Sequence, residues 1–223
     1  LLTPHNGEGA HQGFIMSETA GWAKVPRISP YLNRAVLFTV FLCLFLVTTS
    51  AQAQTHPITP SGLHTQVSAP IVTGSGPTQT TQYNIIGGTR PGGGKNLFHS
   101  FGDFNVPNNN IANFLNETGL PTSNILGRVT GGNISNIFGT IQTTGFGNAN
   151  LYLMNPTGFL FGPNATVNVG GMVAFTTADY LRFQGTDTLF NNVSTPESLS
   201  LLSTVPVAAF GFLGSNPAAI AIQ

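Results

Sequence analysis

The fold is indicated most clearly by residues 149–162, which read ANLYLMNPTGFLFG. Apolar side chains alternate with other residues both before and after the step Asn155-Pro156-Thr157-Gly158. A period of two is the period of a β-strand. Asn at the first position, Pro at the second and Gly at the fourth are the preferred residues of a type I turn. The stretch therefore predicts two short strands joined by a tight turn.

The same pattern extends through the rest of the chain after residue 82. Short alternating runs are separated by glycine clusters, which favours a β-sandwich, a barrel or a β-solenoid over any helical fold. Asn-Gly and Asp-Gly dipeptides, the strongest signals of two-residue hairpins, are absent from residue 54 onward. Their absence favours the solenoid. The side chains expected to be buried in it are Leu151, Leu153, Phe159, Phe161, Val167 and Val169.

A weak internal repeat bears on the number of residues in each coil of such a solenoid. Residues 123–127 (SNILG) resemble residues 135–139 (SNIFG), twelve positions later. Twelve residues are too few for a complete three-sided coil, so we expect the two copies of this repeat to lie on two faces of one coil. Residues 54–82 are richer in Pro and are expected to form an N-terminal β cap, because an open solenoid end exposes unpaired backbone groups.

Composition limits the classes of partner. Only 6% of the 223 residues are charged and the formal net charge is zero, whereas 41% are hydrophobic, including 17 Phe. Without a basic surplus, binding to nucleic acid or to an anionic membrane surface is not expected. The hydrophobic content predicts a buried core rather than a disordered chain.

The first 53 residues have the features of an export signal. The apolar run AVLFTVFLCLFLV (35–47) follows Lys24, Arg27 and Arg34 and precedes Ala51-Gln52-Ala53. A positive flank, a short apolar run and an Ala-x-Ala ending are typical of a secretory signal peptide. A transmembrane helix would need about 20 apolar residues. We expect residues 1–33 to lie outside the fold, residues 34–53 to complete the signal, and cleavage after Ala53 to leave Gln54 first.

The single cysteine, Cys43, lies inside that apolar run and would leave with it. Secreted chains often use disulfides, yet none can form within residues 54–223. Either a large β core needs no cross-link, or the chain must cross a second barrier unfolded. Cysteine content alone leaves both explanations open.

Residues that could carry chemistry are few. Three histidines remain after residue 53, without metal-ligand spacing, so no metal and no cofactor is expected. The five acids are scattered, at Asp103, Glu117, Asp179, Asp187 and Glu197. A glycosidase needs two carboxyl groups facing each other across a cleft. The sequence has no local paired-acid motif that indicates one, and no catalytic residue is assigned.

Several ordered motifs resemble the filamentous haemagglutinin N-terminal domain, the secretion domain of two-partner secretion exoproteins. They are residues 96–101 (NLFHSF), 127–132 (GRVTGG) and 149–162. The similarity runs over about residues 82–183 and resumes at 206–222, where Ala209-Phe210-Gly211-Phe212 fits the family's ending. The chain is most similar to the cysteine-free, Gly/Asn-rich versions common in cyanobacteria.

The resemblance implies a right-handed parallel β-helix and a route of export. That route is Sec transport to the periplasm, recognition by the periplasmic domains of an outer-membrane β-barrel transporter, and passage to the cell surface unfolded, which agrees with the absent cysteines. The family's turn motif corresponds to Asn155, Pro156, Thr157, Gly158 and Phe159, with changes at Thr157 and Phe159. A second, upstream motif corresponds to Arg128, Gly131, Gly132, Asn133 and Ser135, with the family's Pro replaced.

We therefore expect the secretion module of an adhesin-like exoprotein, truncated at its C-terminus. Adhesion to a host or surface carbohydrate or protein is expected to come from sequence beyond Gln223. Two alternatives stay open from the residues alone. One is a carbohydrate-active β-helix enzyme, which a row of acids in one groove would favour. The other is a self-sufficient adhesin or a fibre-like binding protein, which the neighbouring genes would distinguish.

Overall fold

The computed structural model describes residues 56–192 and 202–223, and this part of the chain consists mainly of short β-strands. The first nine are β1 (Ile58–Gly62), β2 (Thr65–Val67), β3 (Ile71–Thr73), β4 (Thr80–Gly87), β5 (Asn96–Phe104), β6 (Asn110–Leu115), β7 (Asn124–Val129), β8 (Ser135–Ile137) and β9 (Thr140–Thr144). The others are β10 (Asn150–Met154), β11 (Phe159–Phe161), β12 (Thr166–Asn168), β13 (Val173–Thr176), β14 (Tyr180–Phe183), β15 (Leu189–Asn191), β16 (Val207–Gly211) and β17 (Ile220–Ile222). Single turns of 3₁₀ helix occur at Gly76–Thr78 and Pro91–Gly93. No helix in these two described ranges is long and apolar enough to cross a membrane.

The strands stack as the coils of a parallel β-solenoid with three faces and about three turns. Sheet I contains β5, β7, β10 and β13, sheet II contains β8, β11 and β17, and sheet III contains β4, β6, β9 and β12. Neighbouring strands within each of these sets are parallel and in register, so that Leu97, Ile125, Leu151 and Val173 form one column. The predicted β-solenoid is confirmed.

The start of the solenoid is covered by antiparallel strands. Strand β1 pairs with β5 at the edge of sheet I, while β2 and β3 pair with β4 at the edge of sheet III. Ile58 is buried in the core beneath this layer. The predicted N-terminal cap is therefore present, and its pairing occupies the backbone groups that an open first coil would expose.

The solenoid interior is apolar and rich in aromatic rings. Side chains from alternate strand positions fill it, because successive residues of a strand point to opposite faces. Among the fully buried members, the Phe101 ring lies 5.0 Å from Phe104 and 6.2 Å from Phe114, in edge-to-face contacts. Such contacts contribute roughly 0.5–1.5 kcal/mol each beyond the burial of their area.

A second core covers the outer face of sheet I. After β13 the chain leaves the solenoid and forms sheet IV, an antiparallel sheet of order β15-β14-β16, before β17 returns to sheet II. Phe98 and Leu126, which point away from the solenoid interior, pack here with Phe183 and Phe190. Strand β7 is consequently buried on both faces, at all six of its residues.

The predicted buried positions have mixed outcomes. Leu151, Leu153 and Phe159 are at most 1% exposed, as expected. Phe161 and Val169 are partly buried against the same core. The prediction for Val167 is wrong, since 40% of this residue is exposed. It stacks on the buried Ile141, but β12 is the edge strand of sheet III, and within residues 56–192 and 202–223 no further strand covers it.

The internal repeat at residues 123–127 and 135–139 has the predicted origin. Strand β7 belongs to sheet I and strand β8 to sheet II, and both lie in the same coil. The true coil-to-coil partner of Asn124 is Asn150, which pairs with it in register. The repeated Ser-Asn-Ile segment therefore marks two faces of one coil.

Candidate functional site

The Asn155–Gly158 step forms a hydrogen-bonded turn between β10 and β11. The Gly158 amide donates to the Asn155 carbonyl oxygen at 3.0 Å, which closes the turn. The Thr157 amide donates to the Asn155 side-chain oxygen at 3.0 Å. Thr157 keeps a negative φ, so the turn is neither type II nor one of the mirror-image types. The geometry is that of the predicted type I turn.

The Asn155 side chain joins this turn to the preceding coil. Its Nδ2 donates to the Asn133 carbonyl oxygen and to the Ser135 hydroxyl, each at 2.9 Å. The Ser135 amide in turn donates to the Gly158 carbonyl oxygen at 3.1 Å. Asn155 is fully buried, and both polar atoms of its amide are hydrogen-bonded. The turn and the upstream motif, which are separate in the sequence, thus meet in the structure. We call Asn133–Ser135 together with Asn155–Phe159 the corner.

Contacts with the following coil restrict which side chains can occupy the last two positions of the corner. Gly158 has a φ of +116°, and a Cβ there would approach the Ala219 carbonyl oxygen to 2.7 Å. A side chain at this position would therefore strain the backbone and collide with the next coil. Phe159 is buried, and its ring lies 5.5 Å from that of Phe175. Both residues fix the turn against the core.

Part of the upstream segment is exposed beside the turn. Asn133 and Ile134 are exposed, with Ile134 at 50%. The Asn133 Nδ2 donates to the Asp103 carboxylate at 2.8 Å. The Gly131 amide donates to the Gly102 carbonyl oxygen at 2.8 Å, and Gly132 turns the chain with a φ of +77°. A shallow groove results, lined by Asp103, Asn105, Asn133, Ile134, Asn136 and Thr157.

Arg128, the remaining residue of the upstream motif, has a different environment. It is 2% exposed on the outer face of sheet I, where its Nε donates to the Ser100 hydroxyl at 2.9 Å. Its Nη1 donates to the Asn191 carbonyl oxygen at 2.8 Å, and its guanidinium lies 5.3 Å from the Phe190 ring centre. These contacts connect sheet I to sheet IV. Arg128 is thus built into the second core, away from the exposed groove.

The predicted cleavage residues, Ala51, Ala53 and Gln54, lie outside the residues that the structure describes. Cleavage after Ala53 stays a prediction.

Sequence reasoning missed a ladder of asparagines that links successive coils. Asn124 donates from Nδ2 to Asn96 Oδ1 at 2.8 Å, and Asn150 donates to Asn124 Oδ1 at 3.0 Å. At the two ends, Asn96 donates to the Val205 carbonyl oxygen and Asn150 accepts from the Met172 amide. All three asparagines begin their strands in sheet I. The available signal was an Asn at the first position of each such strand.

A buried histidine was also missed. His99 is 1% exposed in β5, 3.3 Å from the Thr65 hydroxyl and stacked 6.0 Å from the Phe101 ring. Burial, together with the nearby positive charge of Arg90, lowers the pKa of His99 to about 3. It is therefore a neutral core residue at physiological pH.

The described acids are engaged locally rather than gathered in a cleft. Glu117 accepts from the Gly87 amide at 2.9 Å, and Asp179 accepts from the Leu213 amide at 2.7 Å. Asp187 forms an exposed ion pair with Arg182. In the two described ranges no group of three or more His, Cys, Asp or Glu residues could hold a metal ion. The corner offers hydrogen-bonding groups and one exposed apolar side chain, which suits polypeptide recognition.

The described residues thus form a capped, three-faced parallel β-solenoid with a hydrogen-bonded turn at one corner. Residues 57–223 match the family model of the TPS secretion domain, and the chain belongs to this family. It is accordingly part of a two-partner secretion exoprotein, and the family's domain is a secretion module. Proteins with this domain are exported to the cell surface or secreted. No curated protein matches the chain.

Proposed function

We propose that this chain directs its own export through a partner outer-membrane transporter, and that the corner is the element which the transporter's periplasmic domains recognise. The observation that carries the proposal is the convergence of two motifs. Asn155 bonds directly to Asn133 and Ser135, although 20 or more residues separate them in the chain. Closure of the coil therefore brings the two segments together and encloses the Asn155 amide, so folding ends its accessibility to a partner.

Burial of Asn155 determines the state in which its side chain could be recognised. In the folded domain its amide is enclosed and its polar atoms are already bonded. A partner could read this side chain only before the coil closes. We therefore propose that the transporter binds the Asn155–Phe159 segment in the unfolded or nascent chain, whereas Asn133, Ile134 and Thr157 remain accessible after folding.

The proposed route begins with Sec-dependent transport and removal of residues up to Ala53. N-terminal sequencing of exported protein should therefore give Gln54 as the first residue. Finding the apolar run of residues 35–47 in the exported protein would contradict this part of the proposal. Adhesion to a carbohydrate or protein at a cell surface is proposed for the exoprotein of which this domain is part.

The proposal is tested by measuring whether export depends on the transporter. The chain is expressed in a Gram-negative host with and without an outer-membrane transporter encoded beside it. The amount of chain in the medium or on the cell surface is then measured. We expect export only when the transporter is present, and periplasmic retention without it. Equal export in both strains would contradict the proposed function.

A further inference from the structure

A cavity lies beside the loops that lead from sheet III to sheet I in successive coils. Its volume is about 200 Å³. A cavity of about 150 Å³ holds a benzene molecule, so this one is large enough for a small ring or a short aliphatic chain. Its walls are apolar at Leu97, Leu115, Leu120 and Phe146 and charged at Arg90 and Glu117. We call it the Arg90 cavity.

The positive charge of Arg90 has no counter-charge in the described part of the chain. Its Nη2 donates to the Thr122 hydroxyl at 2.7 Å, whereas its Nη1 is buried without a hydrogen-bond partner. No carboxylate of residues 56–192 or 202–223 forms an ion pair with it. Burial lowers the pKa of Arg90 below its ordinary value, but arginine stays protonated in proteins. Because an unpaired buried charge costs stability, a negatively charged ligand would be favoured beside it.

The opposite side of the Arg90 cavity carries a negative charge and is held in place. Glu117 is exposed and accepts from the Gly87 amide at 2.9 Å. The Asn116 Nδ2 donates to the carbonyl oxygens of Leu120 and Gly145, at 3.0 and 3.1 Å, which ties this loop to the next coil. The wall is therefore preformed, and the charge of Glu117 disfavours an anion placed next to it.

We propose that the Arg90 cavity binds a small carboxylate with an apolar body, of about the size of benzoate. The apolar body lies against Leu97 and Phe146. The carboxylate faces Arg90, whose guanidinium turns Nη1 into the cavity when the ligand binds. A guanidinium matches a carboxylate because both groups are planar and can form two parallel hydrogen bonds. This binding site is separate from the corner and independent of recognition by the transporter.

The test titrates benzoate into the exported, folded chain and follows the amide NMR signals of Gly87 and Gly88, which also line the cavity. We expect saturable shifts of both signals. Arg90→Gln should weaken binding roughly tenfold or more, because a hydrogen bond between charged groups is lost. The matched control is Arg182→Gln, which removes an exposed arginine paired with Asp187 in sheet IV and should bind like the wild type.

Two further measurements test the sign of the ligand's charge. Glu117→Gln keeps an oxygen for the Gly87 amide but removes a negative charge, so benzoate should bind about twofold to fivefold more tightly. Benzyl alcohol, which has the same ring without the charge, should bind the wild type roughly tenfold more weakly than benzoate. Neither measurement needs Arg90→Gln, so both remain decisive if that variant fails to fold.

Four results would overturn the site. They are the absence of shifts at Gly87 and Gly88 in the wild type, equal binding by Arg90→Gln and Arg182→Gln, no tightening with Glu117→Gln, and equal binding of benzyl alcohol and benzoate. The last result would mean that the cavity takes up apolar molecules regardless of charge. None of the four bears on the proposed function, which the transporter dependence of export decides separately.

Discussion

At the scale of single residues, His99 makes the stability of the domain depend on pH. Its folded pKa of about 3 lies below the ordinary value of 6.5, because burial disfavours the charged ring. The unfolded chain therefore takes up a proton below about pH 6.5 that the folded chain refuses until about pH 3. Stability should fall as the pH is lowered through this window.

The prediction is a loss of about 2 kcal/mol from this group between pH 6.5 and pH 5, since one pKa unit corresponds to ~1.4 kcal/mol. Urea unfolding of the wild type and of His99→Gln at both pH values measures it. The variant keeps His56 and His64, so the contribution of His99 is the difference between the two proteins in how much stability they lose from pH 6.5 to pH 5. Equal losses would show that His99 is protonated in the folded state as readily as in the unfolded one.

Asn124 is the residue on which the asparagine ladder depends most, because it bonds both Asn96 and Asn150. Replacing it with Ala leaves an oxygen of one neighbour and a nitrogen of the other without a partner. An unsatisfied buried group costs about 1–3 kcal/mol, which applies in full to the buried Asn96 and in part to the half-buried Asn150. We expect Asn124→Ala to lower the free energy of unfolding by about 3 kcal/mol, measured with denaturant. The control is Asn168→Ala, which removes an exposed asparagine on β12 whose side chain has no hydrogen bond among the described residues. A loss for Asn124→Ala no larger than for this control would mean that water replaces the hydrogen bonds of the ladder.

At the scale of the elements, the sequence predicted the strands of the solenoid and the Asn155–Gly158 turn. Both are encoded locally, by alternation and by turn-forming residues. The meeting of Asn155 with Ser135 is not local, because it depends on the register of β11 on β8. No spacing in the sequence specifies that register, so the two motifs could not be joined before the coils were known.

Sheet IV could not be predicted for a related reason. Phe98 and Leu126 occupy the outer face of sheet I, and the alternation that identifies a strand does not say what covers its second face. The same limit explains the error at Val167. Val167 stacks on Ile141, but its burial would need a further strand beside β12, and the described part of the chain has none there.

At the scale of the whole molecule, a chain without cysteines after residue 53 can unfold completely. A cross-link between coils tests whether export requires this. Gln142 and Asn168 are direct partners on β9 and β12, and neighbouring strands are close enough for a disulfide. The double variant Gln142→Cys/Asn168→Cys should be stabilised by about 3 kcal/mol when oxidised.

Export of this double variant should fall under oxidising conditions and recover when a reductant is added. Each single-cysteine variant is the control and should be exported normally. Normal export of the oxidised double variant would show that a closed loop passes the transporter, and the absence of cysteines would then reflect a sufficient core instead.

We propose that the transporter recognises the corner and not merely a folded solenoid. The variants Asn155→Ala and Asn113→Ala distinguish these two cases. Asn113 is also buried and hydrogen-bonded on both sides of its amide, to Asn84 and Thr144, but it lies in sheet III, away from the corner. Export of both variants is measured beside their thermal melts. We predict similar losses of stability and a collapse of export for Asn155→Ala alone. Equal export of the two variants would contradict the claim and leave Asn155 as a turn-forming residue.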